Sequence, residues 1–311
     1  MQVSSKVPAA FKGVSVPAYL ATRFTYLPET AWRLLVQEGR IFCNEIKCNE
    51  ATIVAQGDTI RCDMPEINTP AVNLNYTIVY EDDWLLGVNK PAGLRVHSSG
   101  IFVNANLIYH LRHVRQPAYP EANLVNRLDA DTSGLLLLAR DTMVHRQLVR
   151  QFAEGSVEKR YLAVVTGRPV PASGTINLPI GPVEKALVPR YWIDRAAGKA
   201  AITHYATVCD LTNHFTLLEL HPESGRTHQL RVHLAAIGHP IAGDALYTMN
   251  DDDYLAWRRT PVIATSLQRQ ALHSHRLQFF HPVHQTTCSL TAPLASDIEQ
   301  FIRDLAEADE E

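Results

Sequence analysis

Residues 126–139 read Asn126-Arg-Leu-Asp-Ala-Asp-Thr-Ser-Gly-Leu-Leu-Leu-Leu-Ala139. A cation, Arg127, and a carboxylate, Asp129, flank a leucine. A polar turn with a glycine follows, and then an apolar run, Leu135 to Ala139, short enough for a buried strand. A carboxylate rooted beside a rigid strand is well held, as a catalytic group must be. On its own an Arg-x-Asp triplet reads better as a structural ion pair at a turn. Asp131 reads as a turn residue.

Three further stretches carry chemistry-bearing residues in close order. His221-Pro-Glu-Ser-Gly-Arg-Thr-His-Gln-Leu-Arg-Val-His233 continues through Gly238 to Asp244. Within it Gly225-Arg226 precedes a predicted helix, Thr227 to Ile237, which Gly238 closes. Val157 to Gly167 contains Lys159 and Tyr161 in a strand-like run. Val88-Asn-Lys-Pro-Ala-Gly-Leu-Arg-Val-His97 holds a turn shaped by Pro91 and Gly93, with Lys90 read as a structural cation. Around these, Tyr76 to Tyr80, Leu85 to Asn89, Ala206 to Cys209 and Phe215 to Leu220 read as strands. Asn106 to Val114 and Asp141 to Phe152 read as helices, the latter capped by Asp141. Strand and helix do not alternate cleanly, so the fold class is α+β.

The four stretches together resemble the ordered motifs of the RluA-type RNA pseudouridine synthases, over roughly Tyr76 to Leu294. Residues 126–139 match R-L-D-x-x-T-S-G-L-L, residues 225–233 match G-R-x-H-Q-[LI]-R-x-H, residues 159–161 match K-x-Y, and residues 89–97 match N-K-P-x-G-[LM]-x-V-H. The resemblance implies a catalytic domain built on a mixed, mainly antiparallel sheet with flanking helices. It implies that Asp129 is the catalytic carboxylate, that Arg231 pairs with it, and that Tyr161 lies against the flipped base. By the same resemblance Arg127 fills the space the base vacates or binds phosphate nearby. Lys159, Arg226 and His228 are expected to meet phosphate. The reaction neither oxidises nor consumes water, so no cofactor or metal is expected. The motifs of dinucleotide and nucleoside triphosphate sites are absent. His228 and His233 lie five apart, not at the four-residue spacing of a helical zinc pair. His221-Pro-Glu223 lacks the P-C-x-x-C that a zinc deaminase would add.

Upstream, Glu29 to Glu38 reads as a helix stopped by Gly39, Arg40 to Asn44 as a short strand, and Gly57-Asp58 as a turn before a strand at Thr59 to Cys62. This order resembles a small α/β S4-like RNA-binding domain, with Arg33 and Arg40 as candidate RNA contacts. The expected organisation is a loose arm at 1–13, the S4-like domain at 14–65, a linker at 66–75, the catalytic domain at 76–296 and a solvated acidic tail at 297–311.

Composition narrows the setting. The 311 residues carry a formal net charge of −3, but residues 297–311 hold seven acids and one base, leaving the rest of the chain at +3. An acidic end can therefore mask a basic working face. Five cysteines without a C-x-x-C pair argue against a disulfide framework and fit a reducing cytoplasm. No run of about 18 apolar residues exists to span a membrane. The expected partner is RNA, ribosomal before transfer RNA, bound by a monomer. Two other classes fit parts of the pattern: a non-catalytic RNA-binding protein, and a nucleosidase that would liberate free uracil.

Overall fold

The computed structural model describes residues 2–24, 27–64, 70–99, 102–184, 186–259 and 267–308. It divides into two compact units, Met1–Ala71 with His97–Asn106, and Val72–Val96 with Leu107–Glu311. Part of the expected linker, 66–69, lies outside the described residues, as do Pro65 and residues 309–311 of the expected tail. The segment 97–106, read from sequence as part of the larger domain, groups with the smaller unit.

The smaller unit contains β1 (Gln2–Lys6), α1 (Val16–Arg23), α2 (Glu29–Gln37), β2 (Ile41–Cys43), β3 (Ile46–Lys47) and β4 (Thr59–Asp63). Its antiparallel sheet runs in the order β1-β4-β2-β3. Trp32, Tyr19, Leu20, Ile41 and Ile60 form its core. α2 ends at Gly39, whose φ of 70° is the left-handed conformation that glycine adopts without a steric penalty. Asn44 and Glu45, both at positive φ, form the two-residue turn between β2 and β3. The arm expected to be loose is not. Gln2 to Lys6 pairs along the whole of β4, because an edge strand ties down a terminus that periodicity alone cannot reveal.

The larger unit opens with β5 (Thr77–Glu81), β6 (Leu85–Lys90), the helical turn α3 (Leu107–Tyr109) continuing as a wider turn over His110–Val114, and β7 (Asn123–Leu124). Next come β8 (Ser133–Ala139), α4 (Thr142–Glu154), β9 (Glu158–Thr166), β10 (Ser173–Asn177), β11 (Ile180–Pro182), β12 (Tyr191–Ile193), β13 (Ile202–Asp210) and β14 (Phe215–Pro222). The chain continues with α5 (Gln229–Ala236), α6 (Ala245–Thr248), α7 (Asp251–Arg259), β15 (Leu272–His281), β16 (Thr286–Thr291) and α8 (Ser296–Ala308). Ten strands make one mixed sheet in the order β10-β13-β14-β9-β15-β8-β6-β5, with β16 on β15 and β7 on β8. Among the described residues only the β15–β8 pairing of this sheet is parallel; the others are antiparallel. The fold is thus α+β on a mainly antiparallel sheet.

The leucine run forms β8 because both of its faces are covered. Leu135 and Leu137 enter one core with Leu85, Leu148 and Phe279, while Leu136 and Leu138 enter another with Leu86, Val88 and Leu107. All four are fully buried, and each burial contributes about 1.5–3 kcal/mol. α4 is capped as read from sequence: Asp141 Oδ1 accepts from the amides of Met143 and Val144 at 2.7 and 3.0 Å, and Gly155 closes the helix at φ 75°. The acidic tail is not simply solvated. Its residues to 308 form α8, which buries Ile298 and Phe301 in the core beneath β9 and β14 and leaves Glu299 and Glu307 exposed.

Candidate active site

Asp129 sits in the turn that feeds β8, and this turn is held from several sides. The fully buried Lys90 donates from Nζ to Pro91 O and Ala130 O, both at 2.8 Å. Burial pushes the Lys90 ammonium down to about 7, and nearby Asp131 and Asp129 oppose that shift. Arg269 donates to Asp131 O and Ser133 Oγ, each at 3.1 Å, while Asp297 of α8 grips it with both carboxylate oxygens at 2.6 and 2.7 Å. Gly134, at φ 104°, lets the chain pass beside β15; a Cβ there would lie 2.2 Å from Ser274 O. The glycine of the T-S-G run is therefore a close-approach residue.

Arg231 is on α5, a helix buried on most sides. Asp244, almost fully buried, accepts from Arg231 Nε at 2.7 Å and Nη2 at 2.8 Å. Nη1 remains, and it donates to Asp129 Oδ2 at 3.1 Å. Burial works against the Arg231 charge, but the hydrogen bonds and charge of Asp244, then the charge of Asp129, hold its pKa above the ordinary value. The Asp129 side chain keeps 30% of its surface exposed, so the ion pair lies at an opening.

His228 precedes α5 in the left-handed region, φ 56° and ψ 20°, a conformation costing a non-glycine residue on the order of 1–3 kcal/mol. Gln229 fixes it there. Its side-chain oxygen accepts from Arg226 N at 3.0 Å and Ser224 Oγ at 2.8 Å, and its amide donates to Ile202 O at 2.9 Å. His228 Nε2 lies 3.8 Å from Asp129 Oδ2, and its Nδ1 lies 2.8 Å from the hydroxyl of Tyr247. Tyr161, on β9, is half-buried. Burial pushes its hydroxyl up to about 12, and the charge of Asp129 adds to that rise.

The remaining candidates divide. Arg127 and Arg226 are exposed, as are Arg195 and Lys199, and Arg226 Nε donates to Ala200 O at 3.1 Å. Arg140 and Arg160, in the same unit, are tied to carboxylates. Among the described residues, no ion pair engages Arg127, Arg195, Lys199 or Arg226. Lys159, expected at phosphate, is instead buried, with Nζ 3.2 Å from Glu223 O and 3.4 Å from Ser224 O; burial lowers its pKa. Lys159 points inward because it anchors the loop before α5. In the smaller unit Arg33 is paired with Glu29 and Glu50, and Arg40 with Glu38, all at the surface.

Sequence reading passed over Asp244 and Tyr247. Asp244 ends an apolar run, and only the tertiary return of that run onto α5 reveals its partner. Asp82, His281 and His284 also converge within 4.8 Å. His281 Nδ1 accepts from the amides of Val283 and His284 at 3.2 and 3.1 Å, so its proton is on Nε2, donated to Asp82 at 2.9 Å. A metal would need that nitrogen's lone pair, so the cluster reads as a hydrogen-bonded clamp.

Residues 85–236 match the family described as RNA pseudouridylate synthase. The chain is 33% identical to an uncharacterised RNA pseudouridine synthase of Mycobacterium bovis, over 96% of this chain and 97% of that one. It is 34% identical to ribosomal large subunit pseudouridine synthase D of Xylella fastidiosa, over 97% and 92%. Among solved structures, human RNA pseudouridylate synthase domain containing 4 superimposes with a TM-score of 0.57 at 27% identity, covering 73% of this chain and 92% of its own.

Proposed function

Because the chain belongs to the RNA pseudouridine synthase family, we propose that Asp129 is the carboxylate with which it isomerises a uridine of large-subunit ribosomal RNA. The single observation that carries this reading is the Arg231–Asp129 pair at a partly exposed turn, with a second carboxylate securing the arginine from behind. An oriented, ionised acid at an opening suits attack at a ribose or removal of a sugar proton. The ribosomal target is supported by the relatives named ribosomal large subunit pseudouridine synthase D in Xylella fastidiosa and Zymomonas mobilis.

In the proposed reaction the N1–C1′ bond of uridine breaks, a C5–C1′ bond forms, and the proton on C5 is lost as N1 gains one. Nothing is oxidised and no water is consumed, so the chemistry asks for no redox cofactor or metal. A stacked base cannot turn over, so the uridine leaves its helix at a cost of about a few kcal/mol. Arg127 is placed in sequence to take the vacated space. Arg195, Lys199 and Arg226 offer unpaired charge to phosphates, which makes binding salt-dependent. Tyr161 covers the base. With its hydroxyl pushed up to about 12, it keeps its proton near neutrality and serves as a hydrogen-bond donor before it serves as a base. The smaller unit is proposed to be S4-like and to hold RNA. The protein is proposed to act as a monomer. The five cysteines are free thiols and, among the described residues, no helix is long and apolar enough to cross a membrane; the thiols suit a reducing cytoplasm.

The test is tritium release from RNA labelled at uridine C5, taken from cells lacking the gene. Release without free uracil supports a synthase; free uracil would make the protein a nucleosidase, and no release at all would leave a binding protein.

A further inference from the structure

The side chain of His228 faces Asp129, not solvent, and its protonation can be read from its neighbours. The Tyr247 hydroxyl oxygen accepts the amide proton of Tyr191 on β12 at 3.4 Å. The hydroxyl proton is then free to be donated, and His228 Nδ1 stands 2.8 Å away. A neutral imidazole that accepts at Nδ1 carries its proton on Nε2. That nitrogen lies 3.8 Å from Asp129 Oδ2, the oxygen that already receives Arg231 Nη1 at 3.1 Å. The opposite tautomer would leave the tyrosine proton without a partner and turn a lone pair towards a carboxylate. Burial lowers the His228 pKa despite the opposing charge of Asp129, which keeps the ring neutral near pH 7. Tyr247 is itself fixed: Arg231 lies 5.0 Å over its ring and Trp192 stacks on it at 6.1 Å. Among the described residues, no hydrogen bond reaches Asp129 Oδ1.

We propose that His228 is a positioning residue for Asp129, held by Tyr247 with its proton on Nε2, so that Oδ2 is clamped between Arg231 and His228 and Oδ1 is the oxygen that meets the ribose. This rests on Asp129 being the catalytic carboxylate, and it replaces a phosphate contact as the reading of His228. A gap of 3.8 Å exceeds a hydrogen bond, and it shortens when substrate displaces water from the opening. The strained backbone at residue 228 is then part of the device, because it aims the ring at the acid.

The experiment uses the full-length protein in excess over C5-tritiated RNA from cells lacking the gene. The saturated single-turnover rate and the half-saturating enzyme concentration are read separately. Tyr247→Phe removes one oxygen and keeps the ring against Arg231 and Trp192. It is expected to lower the saturated rate about tenfold or more, with the half-saturating concentration within about twofold of wild type. His228→Ala behaves likewise, and His228→Gln, whose amide nitrogen can replace Nε2, recovers part of the rate. Nitrogen-15 spectra, with the His228 signals identified by their loss in His228→Ala, are expected to show Nε2 protonated in wild type and a mixture of tautomers in Tyr247→Phe. A wild-type rate in Tyr247→Phe, or protonation on Nδ1 in wild type, overturns the proposal. So does a His228→Ala variant that weakens binding with its saturated rate intact, since that is the mark of a phosphate contact. A wild-type protein that releases no tritium overturns the enzymatic reading instead, and the spectra still decide the tautomer.

Discussion

Asp244 grips the Arg231 guanidinium through Nε and Nη2, which leaves Nη1 as the arm that reaches Asp129. One buried cation thus serves two carboxylates unequally. Asp244, with 1% of its side chain exposed, anchors the arginine, while Asp129, with 30%, stays partly open to solvent. The same geometry that orients the acid also stabilises the fold, so substitutions at Arg231 report on both.

Arg231→Ala is expected to lower folding stability by about 3–5 kcal/mol, because it leaves Asp244 charged, buried and unpaired. Arg231→Lys keeps the charge but not the two-pronged contact, and is expected to fold better than the alanine variant while remaining well below wild type in turnover. Urea denaturation beside tritium release checks both. A fully active Arg231→Ala protein would remove the ion pair from the mechanism.

Gly134→Ala is expected to cost at least about 2 kcal/mol, since its Cβ would strike the backbone of Ser274 and its φ of 104° suits only glycine. Gly225→Ala, with no heavy atom within 4 Å of the added Cβ and no positive φ, should change the melting temperature little. Equal melting temperatures for the two variants would contradict the close packing of β8 on β15.

Lys90 makes stability depend on pH in a defined direction. Its folded pKa, about 7, lies below the ordinary 10.5, so between these values the unfolded chain holds a proton that the folded chain has released. Stability from this group is therefore absent below about pH 7 and is gained as pH rises towards 10.5. From pH 7 to pH 9 the stability of wild type relative to Lys90→Met should grow by about 2 kcal/mol. A difference that stays flat or shrinks would mean that Lys90 remains charged in the fold.

Much of the site was legible because its residues lie in short ordered strings. The R-L-D turn and the leucine run predict a carboxylate at the mouth of a buried strand, and Asp141 and Gly39 mark helix ends by local backbone chemistry. What stayed hidden depends on distant returns of the chain. Asp244 meets Arg231 only because residues 239–244 fold back along α5, and Asp297 meets Arg269 only once α8 docks. Lys159 looked like a phosphate ligand because sequence gives residue type and spacing, not the direction of a side chain. β1 was missed because pairing at a sheet edge leaves little periodic trace. The pairing of Arg33 with Glu50 stayed hidden for a related reason: that acid comes from a turn seventeen residues away.

The central claim is that Asp129 performs the chemistry and does not merely hold the turn. Asp129→Asn preserves shape and removes the charge. Pseudouridine formed in RNA from cells lacking the gene should fall to background with this variant, while its affinity for that RNA stays within about twofold of wild type. Pseudouridine formed at a rate near wild type would contradict the account.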